Sequence, residues 1–173
     1  AYVLRCFEDG DVTHVENRID PIADADTVET ELMLADLESV EKRAAQIEKK
    51  AKSGDKDAKA QLAIMEKALA LLREGKPARL AQITPEEMPI FRGLQLLTSK
   101  PVLYVCNVDE ASAAQGNAFS RSVEERAASE GAATVVISAK IESEFAGLAA
   151  EDRDAFLAEM GLSEAGLNRL IRA

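Results

Sequence analysis

Two short apolar runs, each opening into a small polar loop, constrain this chain most. The first, Pro101-Val102-Leu103-Tyr104-Val105-Cys106, leads into Asn107-Val108-Asp109-Glu110. The second, Thr134 to Ser138, leads into Ala139-Lys140, and a helical pattern over about Ala118 to Ser129 separates the two. Continuous apolar character marks strands buried on both faces, and a helix between two such strands makes their connection a crossover. Tyr2 to Phe7 reads as a third buried strand, and polar Glu8 to Asp20 as a loop after it. The sequence therefore predicts an α/β chain with a parallel sheet and helices on both faces.

The stretch between the Tyr2–Phe7 strand and the run that starts at Pro101 carries a different period. Asp26-Thr27-Val28-Glu29 resembles a capping box, in which Asp26 accepts from backbone N–H groups and Glu29 reaches back. Leu37, Val40, Ala44, Ile47 and Ala51 then recur at three- and four-residue spacing. Ser53-Gly54-Asp55 breaks the pattern, Ala58, Leu62, Met65, Leu69 and Leu72 resume it, and Gly75-Lys76-Pro77 ends it. Two amphipathic helices joined by a short turn form an antiparallel, coiled-coil-like hairpin. At 1.5 Å per residue its first arm is about 40 Å long. Charged outer faces favour arms that pack on each other and project into solvent over a pair of ordinary core helices. Pro85, in Thr84-Pro85-Glu86-Glu87, suits a first helical position and predicts a helix through Leu97. Two helices, near Glu151–Met160 and Ser163–Arg172, are predicted to close the chain.

The 173 residues suffice for one domain with an elaboration. No apolar run approaches the roughly 20 residues of a membrane span, and the N-terminus lacks the signature of a signal peptide. A cytoplasmic protein with no membrane partner is the expectation. Cys6 and Cys106 sit inside apolar runs and read as buried, reduced thiols. A net charge of -10 argues against a surface that coats nucleic acid, and no DNA partner is expected, but a local basic patch remains open. Lys49, Lys50, Lys52, Lys56 and Lys59 form such a patch at the hairpin turn, against Asp55 and Asp57. It reads either as a solvated helix end or as a contact for RNA phosphates, where Lys acts as a point charge. His14 is expected to make a loop hydrogen bond and has no catalytic role.

Strand, Asn-x-x-acid, helix, strand and Ser-Ala-Lys is the order in which guanine-nucleotide-binding folds present their base-recognition loops. Further motifs run along essentially the whole chain: Arg5-Cys6-Phe7-Glu8-Asp9, Thr13-His14-Val15-Glu16, Asp20-Pro21-Ile22 and Thr30-Glu31-Leu32. Leu34-Ala35-Asp36-Leu37-Glu38, Leu97-Thr98-Ser99-Lys100-Pro101 and Gly166-Leu167-Asn168-Arg169-Leu170-Ile171-Arg172-Ala173 follow. In combination they resemble the Obg-like ATPases, the YchF-type branch of the translation-factor-related P-loop GTPases. The resemblance implies a G-domain-like nucleotide domain in two parts, 1–24 and 85–173, interrupted by a helical hairpin over 25–84. It implies binding and slow hydrolysis of ATP, usually preferred over GTP, with Mg2+. It also implies association with the ribosome, at the large subunit or its RNA. By position it puts Asn107, Val108 and Glu110 at the base, with Ser138 and Ala139 offering backbone N–H groups. Phe7 matches an aromatic close to the nucleotide, and reads equally as a core residue at a strand end.

The chain departs from that pattern in holding no Gly-x-x-x-x-Gly-Lys-[Ser/Thr] and no Asp-x-x-Gly loop. Such loops cradle phosphates and Mg2+. The resemblance thus implies the rear of a nucleotide domain with its hairpin, the phosphate and metal groups lying upstream and a further domain downstream. No catalytic residue and no metal ligand is expected in the chain, which alone is expected to be inactive. The loop after Cys106 also has Glu where guanine-binding proteins carry Asp, and Val where they carry Lys. An Asp there accepts from guanine N1–H and N2, whereas adenine N1 is an acceptor that a facing carboxylate repels. Glu110 is one methylene longer and can swing away. The Asn107 amide can accept from an adenine N6 amino group and donate to a ring nitrogen, and Val108 is expected to cover one base face. Three functions follow: an ATP-hydrolysing, ribosome-associated regulator; a noncatalytic interaction module in which the hairpin is the working part; and a conventional GTPase fragment, against which Glu110 argues.

Overall fold

A computed structural model of the chain describes residues 1–8 and 19–173. His14, Asp9, the Thr13–Glu16 motif and most of the predicted loop lie outside the described residues. The chain divides into two compact units, residues 1–25 with 102–173, and residues 26–101.

The first unit is the predicted sheet. Strands β1 (Tyr2–Arg5), β2 (Leu103–Asn107) and β3 (Ala133–Ile137) run parallel in the order β1-β2-β3. Leu4 lies opposite Cys106, which in turn lies opposite Val136. The central strand is the most enclosed, with Tyr104, Val105 and Cys106 all buried. Helices α4 (Ala118–Glu130), α5 (Ala139–Gly147), α6 (Ala150–Glu159) and α7 (Gly166–Arg172) complete the unit. Helix α5 was not foreseen, because its apolar side is only Ile141 and Phe145, too little for a periodic signal. Leu4, Cys6, Tyr104, Cys106, Val123 and Ile141 form the core. Cys6 and Cys106 are both fully buried free thiols. The hydrogen bond Cys6 shares with Cys106, and then its burial, hold the Cys6 thiol far above its ordinary range.

The second unit is the hairpin with its own cap. Helix α1 (Pro21–Lys52) starts earlier than the capping-box pattern implies. The Asp20 carboxylate accepts from the Ala23 N–H at 3.0 Å, and Pro21 follows as a preorganised first residue. Asp26 therefore lies inside the helix, and Glu29, buried, pairs with Arg79 at 2.6 Å instead of capping. With 32 residues the helix is about 48 Å long, not 40. Gly54 turns the chain with φ 100, and the Asp55 carboxylate caps α2 (Lys56–Arg73) by accepting from the Asp57 and Ala58 N–H groups. The expected stripe packs: Val40, Met65, Leu69 and Leu72 are buried, with Leu37, Ala44 and Ile47 against them.

Helix α3 spans only Met88–Gly93, and Pro85 precedes it. The Glu87 carboxylate accepts from the Thr84 N–H and binds Lys67, closing residues 84–87 into a turn that delays the helix. Phe91, Leu94 and Leu96 share the core of Val40 and Leu69. Residues 85–101, expected with the nucleotide domain, thus pack with the hairpin. A buried carboxylate ties them there. Asp36, 3% exposed, accepts from the Leu97 N–H (2.8 Å), the Thr98 N–H (2.8 Å) and the Thr98 hydroxyl (2.7 Å). The Thr98 Oγ1 in turn accepts from the Ala78 N–H at 3.0 Å. Among the described residues no helix is long and apolar enough to cross a membrane.

Candidate nucleotide-base site

The ends of β2 and β3 are held level by the extended ladder. The Cys6 N–H donates to the Asn107 carbonyl and the Val108 N–H to the Ile137 carbonyl, each at 2.8 Å. The loops after the two strands consequently emerge side by side. The Ala139 N–H donates to Asn107 Oδ1 at 2.9 Å, bridging them. This bond fixes the orientation of the amide and leaves Nδ2 as its donor. It also gives the Ala139 N–H, expected to face a base, a partner within the protein.

Glu110 begins a short 3-10 turn, Glu110–Ser112, which Asp109 caps by accepting from the Ser112 N–H at 2.8 Å. Its carboxylate pairs with Lys140 of the neighbouring loop. The Lys140 ammonium, and then the backbone N–H of Glu110 itself, hold the Glu110 carboxyl below the usual carboxylate range. Ser138, 3% exposed, has a hydroxyl with no hydrogen-bond partner among the described residues. The structure thus brings Asn107, Glu110, Ser138 and Ala139 together and adds Lys140, whose role sequence reasoning missed although it closes the Ser-Ala-Lys motif.

Val108 is placed otherwise than expected. At 2% exposure it belongs to the core, because in an extended chain it points to the same side as Cys106 two residues earlier. It supports the loop from beneath and has no face to offer a base. Phe7, half-buried, lies two residues beyond the end of β1; the Arg5 guanidinium lies 5.0 Å from its ring and donates to its carbonyl. A further anchor went unforeseen. Asn117 caps α4 by accepting from the Ser120 N–H at 3.0 Å, while its Nδ2 donates to the Cys6 carbonyl at 2.6 Å. Gly116, at φ 68, precedes it, and a Cβ there would lie 2.4 Å from Ser120 Oγ. Asn-x-x-Ser before a helix is the sequence signal that could have revealed this cap.

Among the described residues no group of three or more His, Cys, Asp or Glu side chains is placed to hold a metal ion. At the hairpin turn Lys49, Lys50, Lys52, Lys56 and Lys59 are all exposed. Lys52 pairs with Glu48 at 2.6 Å; the other four make no ion pair among the described residues.

No protein-family model matches the chain. It is 45% identical over its whole length to the ribosome-binding ATPase YchF of Bacillus subtilis, and 44% identical to that of Haemophilus influenzae. It covers 48% and 47% of those two proteins, about half the length of the curated relatives it matches. The solved structure of the Schizosaccharomyces pombe YchF GTPase superposes on 98% of the chain with a TM-score of 0.83 at 28% identity, and 47% of that protein is covered. In sequence and in fold, the chain is similar to YchF-type proteins over about half of their length.

Proposed function

We propose that the intact protein is a ribosome-associated NTPase that prefers ATP to GTP, and that the loops after β2 and β3 form its base site. The names of its relatives, ribosome-binding ATPase and GTPase, support the activity and the partner. The pairing of Glu110 with Lys140 carries the base preference. A carboxylate engaged by an ammonium of the next loop is turned away from a base, so it neither rewards guanine N1–H nor repels adenine N1. Asn107 Nδ2 then donates to a ring nitrogen, with its Oδ1 fixed by the Ala139 N–H. The Ser138 hydroxyl is a buried polar atom that a base edge would satisfy, and Phe7, two residues beyond β1, is the aromatic offered to the nucleotide. These residues supply base recognition only. Hydrolysis needs phosphate and Mg2+ ligands of the kind a Gly-x-x-x-x-Gly-Lys-[Ser/Thr] loop supplies, a motif the 173 residues do not hold, so alone they are expected to be inactive. The hairpin tip, four of whose lysines make no ion pair among the described residues, is the part suited to ribosomal RNA, and a ribosomal partner would place the intact protein in the cytoplasm.

The test is calorimetric titration of the intact protein with ATP. Asn107→Ala should weaken binding by about tenfold or more, since a donor to the base is lost and the two loops are unlinked. Unchanged affinity would remove the base site from these loops. If the intact protein bound no nucleotide at all, the hairpin would stand as the working part of a noncatalytic module.

A further inference from the structure

The hairpin unit carries a cleft that the base site and the lysine tip leave unused. It has a volume of about 670 Å3, within the roughly 300–1,000 Å3 of ligand-sized sites. Met88, Phe91 and Ile83 floor it, and Arg79, Arg92 and Lys100 line its walls. No acidic residue lines it, in a chain whose net charge is -10. Arg79 is steadied by Glu29, whereas Arg92 and Lys100 make no ion pair among the described residues. Gln95, also lining the cleft, holds φ 54, a conformation costly for a side-chain-bearing residue.

Two exposed leucines neighbour the lining residues in the chain, Leu80 between Arg79 and Ala81, and Leu97 two residues before Ser99. The Arg79 N–H donates to the Thr98 carbonyl at 3.0 Å, which sets the Leu80 and Leu97 stretches side by side. Leu80 is 59% exposed and Leu97 44%. Exposed leucines beside cations around an apolar floor complement a ligand that is both acidic and greasy. RNA fits less well. Recognition of unstacked bases uses open aromatic faces, and Phe91, the aromatic that lines this cleft, is only 6% exposed.

We propose that this cleft is a docking site for a partner protein, and that it takes a short amphipathic segment carrying Asp or Glu beside Leu- or Phe-type anchors. The acidic groups engage Arg92 and Lys100, and the anchors cover Leu80, Leu97 and the floor.

The test measures fluorescence anisotropy of labelled peptides with the intact protein. The probe is a short Glu/Leu peptide of helical spacing, compared with counterparts bearing Lys for Glu or Ser for Leu, and with a single-stranded RNA oligonucleotide. The Glu/Leu probe should bind best and weaken as salt rises. R92E/K100E should lower its affinity at least about tenfold with an unchanged melting curve, since neither cation makes an ion pair among the described residues. Leu80→Ser/Leu97→Ser should weaken binding without altering the salt slope. Equal binding of all three peptides, or R92E/K100E binding like wild type, would overturn the proposal. So would an RNA probe that binds better than the peptide and is lost in R92E/K100E, which would make the cleft a phosphate-binding face.

Discussion

Removing the Asp36 carboxylate should cost the hairpin unit most of its attachment to its cap. Asp36→Ala deletes three hydrogen bonds of 2.7 to 2.8 Å and leaves two backbone N–H groups and one hydroxyl without their acceptor. An orphaned buried donor costs about 1–3 kcal/mol. The Thr98 donors are buried and bear the full penalty, whereas the Leu97 N–H is nearer the surface and water can rescue part of its loss. The expected total is about 3–5 kcal/mol, a large share of the roughly 5–15 kcal/mol of a whole domain. Asp36→Asn keeps the shape and one acceptor, so about 1.5–3 kcal/mol should be lost; this is the variant that stays folded enough to measure. Thr98→Val removes the other end of the contact. A cycle of Asp36→Asn and Thr98→Val should give a coupling of about 1–2 kcal/mol. Urea unfolding followed by far-ultraviolet circular dichroism reads the change as a lower midpoint with an unaltered slope. A shift under about 1 kcal/mol for Asp36→Ala would refute the reasoning, because it would mean that residues 96–98 are held by apolar packing alone.

Gly116→Ala should destabilise the sheet unit by about 1–3 kcal/mol, since a left-handed backbone and a 2.4 Å approach to Ser120 Oγ both oppose a Cβ; thermal unfolding measures it, and an unchanged melting temperature would contradict the cap geometry. Replacing Lys49, Lys50 and Lys52 by Glu should weaken ribosome association in sedimentation assays and flatten its salt dependence, because fewer counterions are released. Nucleotide affinity should not change, and wild-type ribosome binding would reduce the tip to a solvated helix end. The Glu110 carboxyl should titrate below the ordinary carboxylate range by nuclear magnetic resonance, and Lys140→Ala should raise it toward that range. A carboxyl depressed by folding contributes its stabilisation above the ordinary value and loses it as pH falls through the lowered one, so the link between the loops should open only in acid. An unmoved titration in Lys140→Ala would dissolve the pair.

The strands and the hairpin were legible because their signals are local and repeated. The apolar run ending at Cys106 and the stripe through Val40 and Leu69 state their burial in the sequence itself. The start of α1 was misread because Asp26 and Glu29 mimic a cap, while Asp20-Pro21 supplies the cap and first residue that the helix uses. That residues 85–101 pack with the hairpin was not legible because what ties them down is distant in sequence: Asp36 looks like a surface acid on a charged helix until Leu97 and Thr98 fold onto it. At the base site the residue types were readable, but their partners were not. Nothing local says that Asn107 spends its oxygen on the Ala139 N–H or that Lys140 reaches Glu110. Val108 was the exception, since alternation from buried Cys106 already directs it into the core.

The central claim, that the pair of loops selects the purine through the reach of Glu110, is tested most directly by calorimetric affinities for ATP and GTP in the intact protein and in its Glu110→Asp variant. The shorter carboxylate cannot stay with Lys140 and returns to the position that meets guanine N1–H and N2. Each charge-assisted hydrogen bond gained contributes about 1.5–3 kcal/mol, so GTP affinity should rise by about tenfold or more while ATP affinity falls. An unchanged ATP-to-GTP ratio in Glu110→Asp would contradict the account and assign base choice to backbone contacts near Ser138 and Ala139.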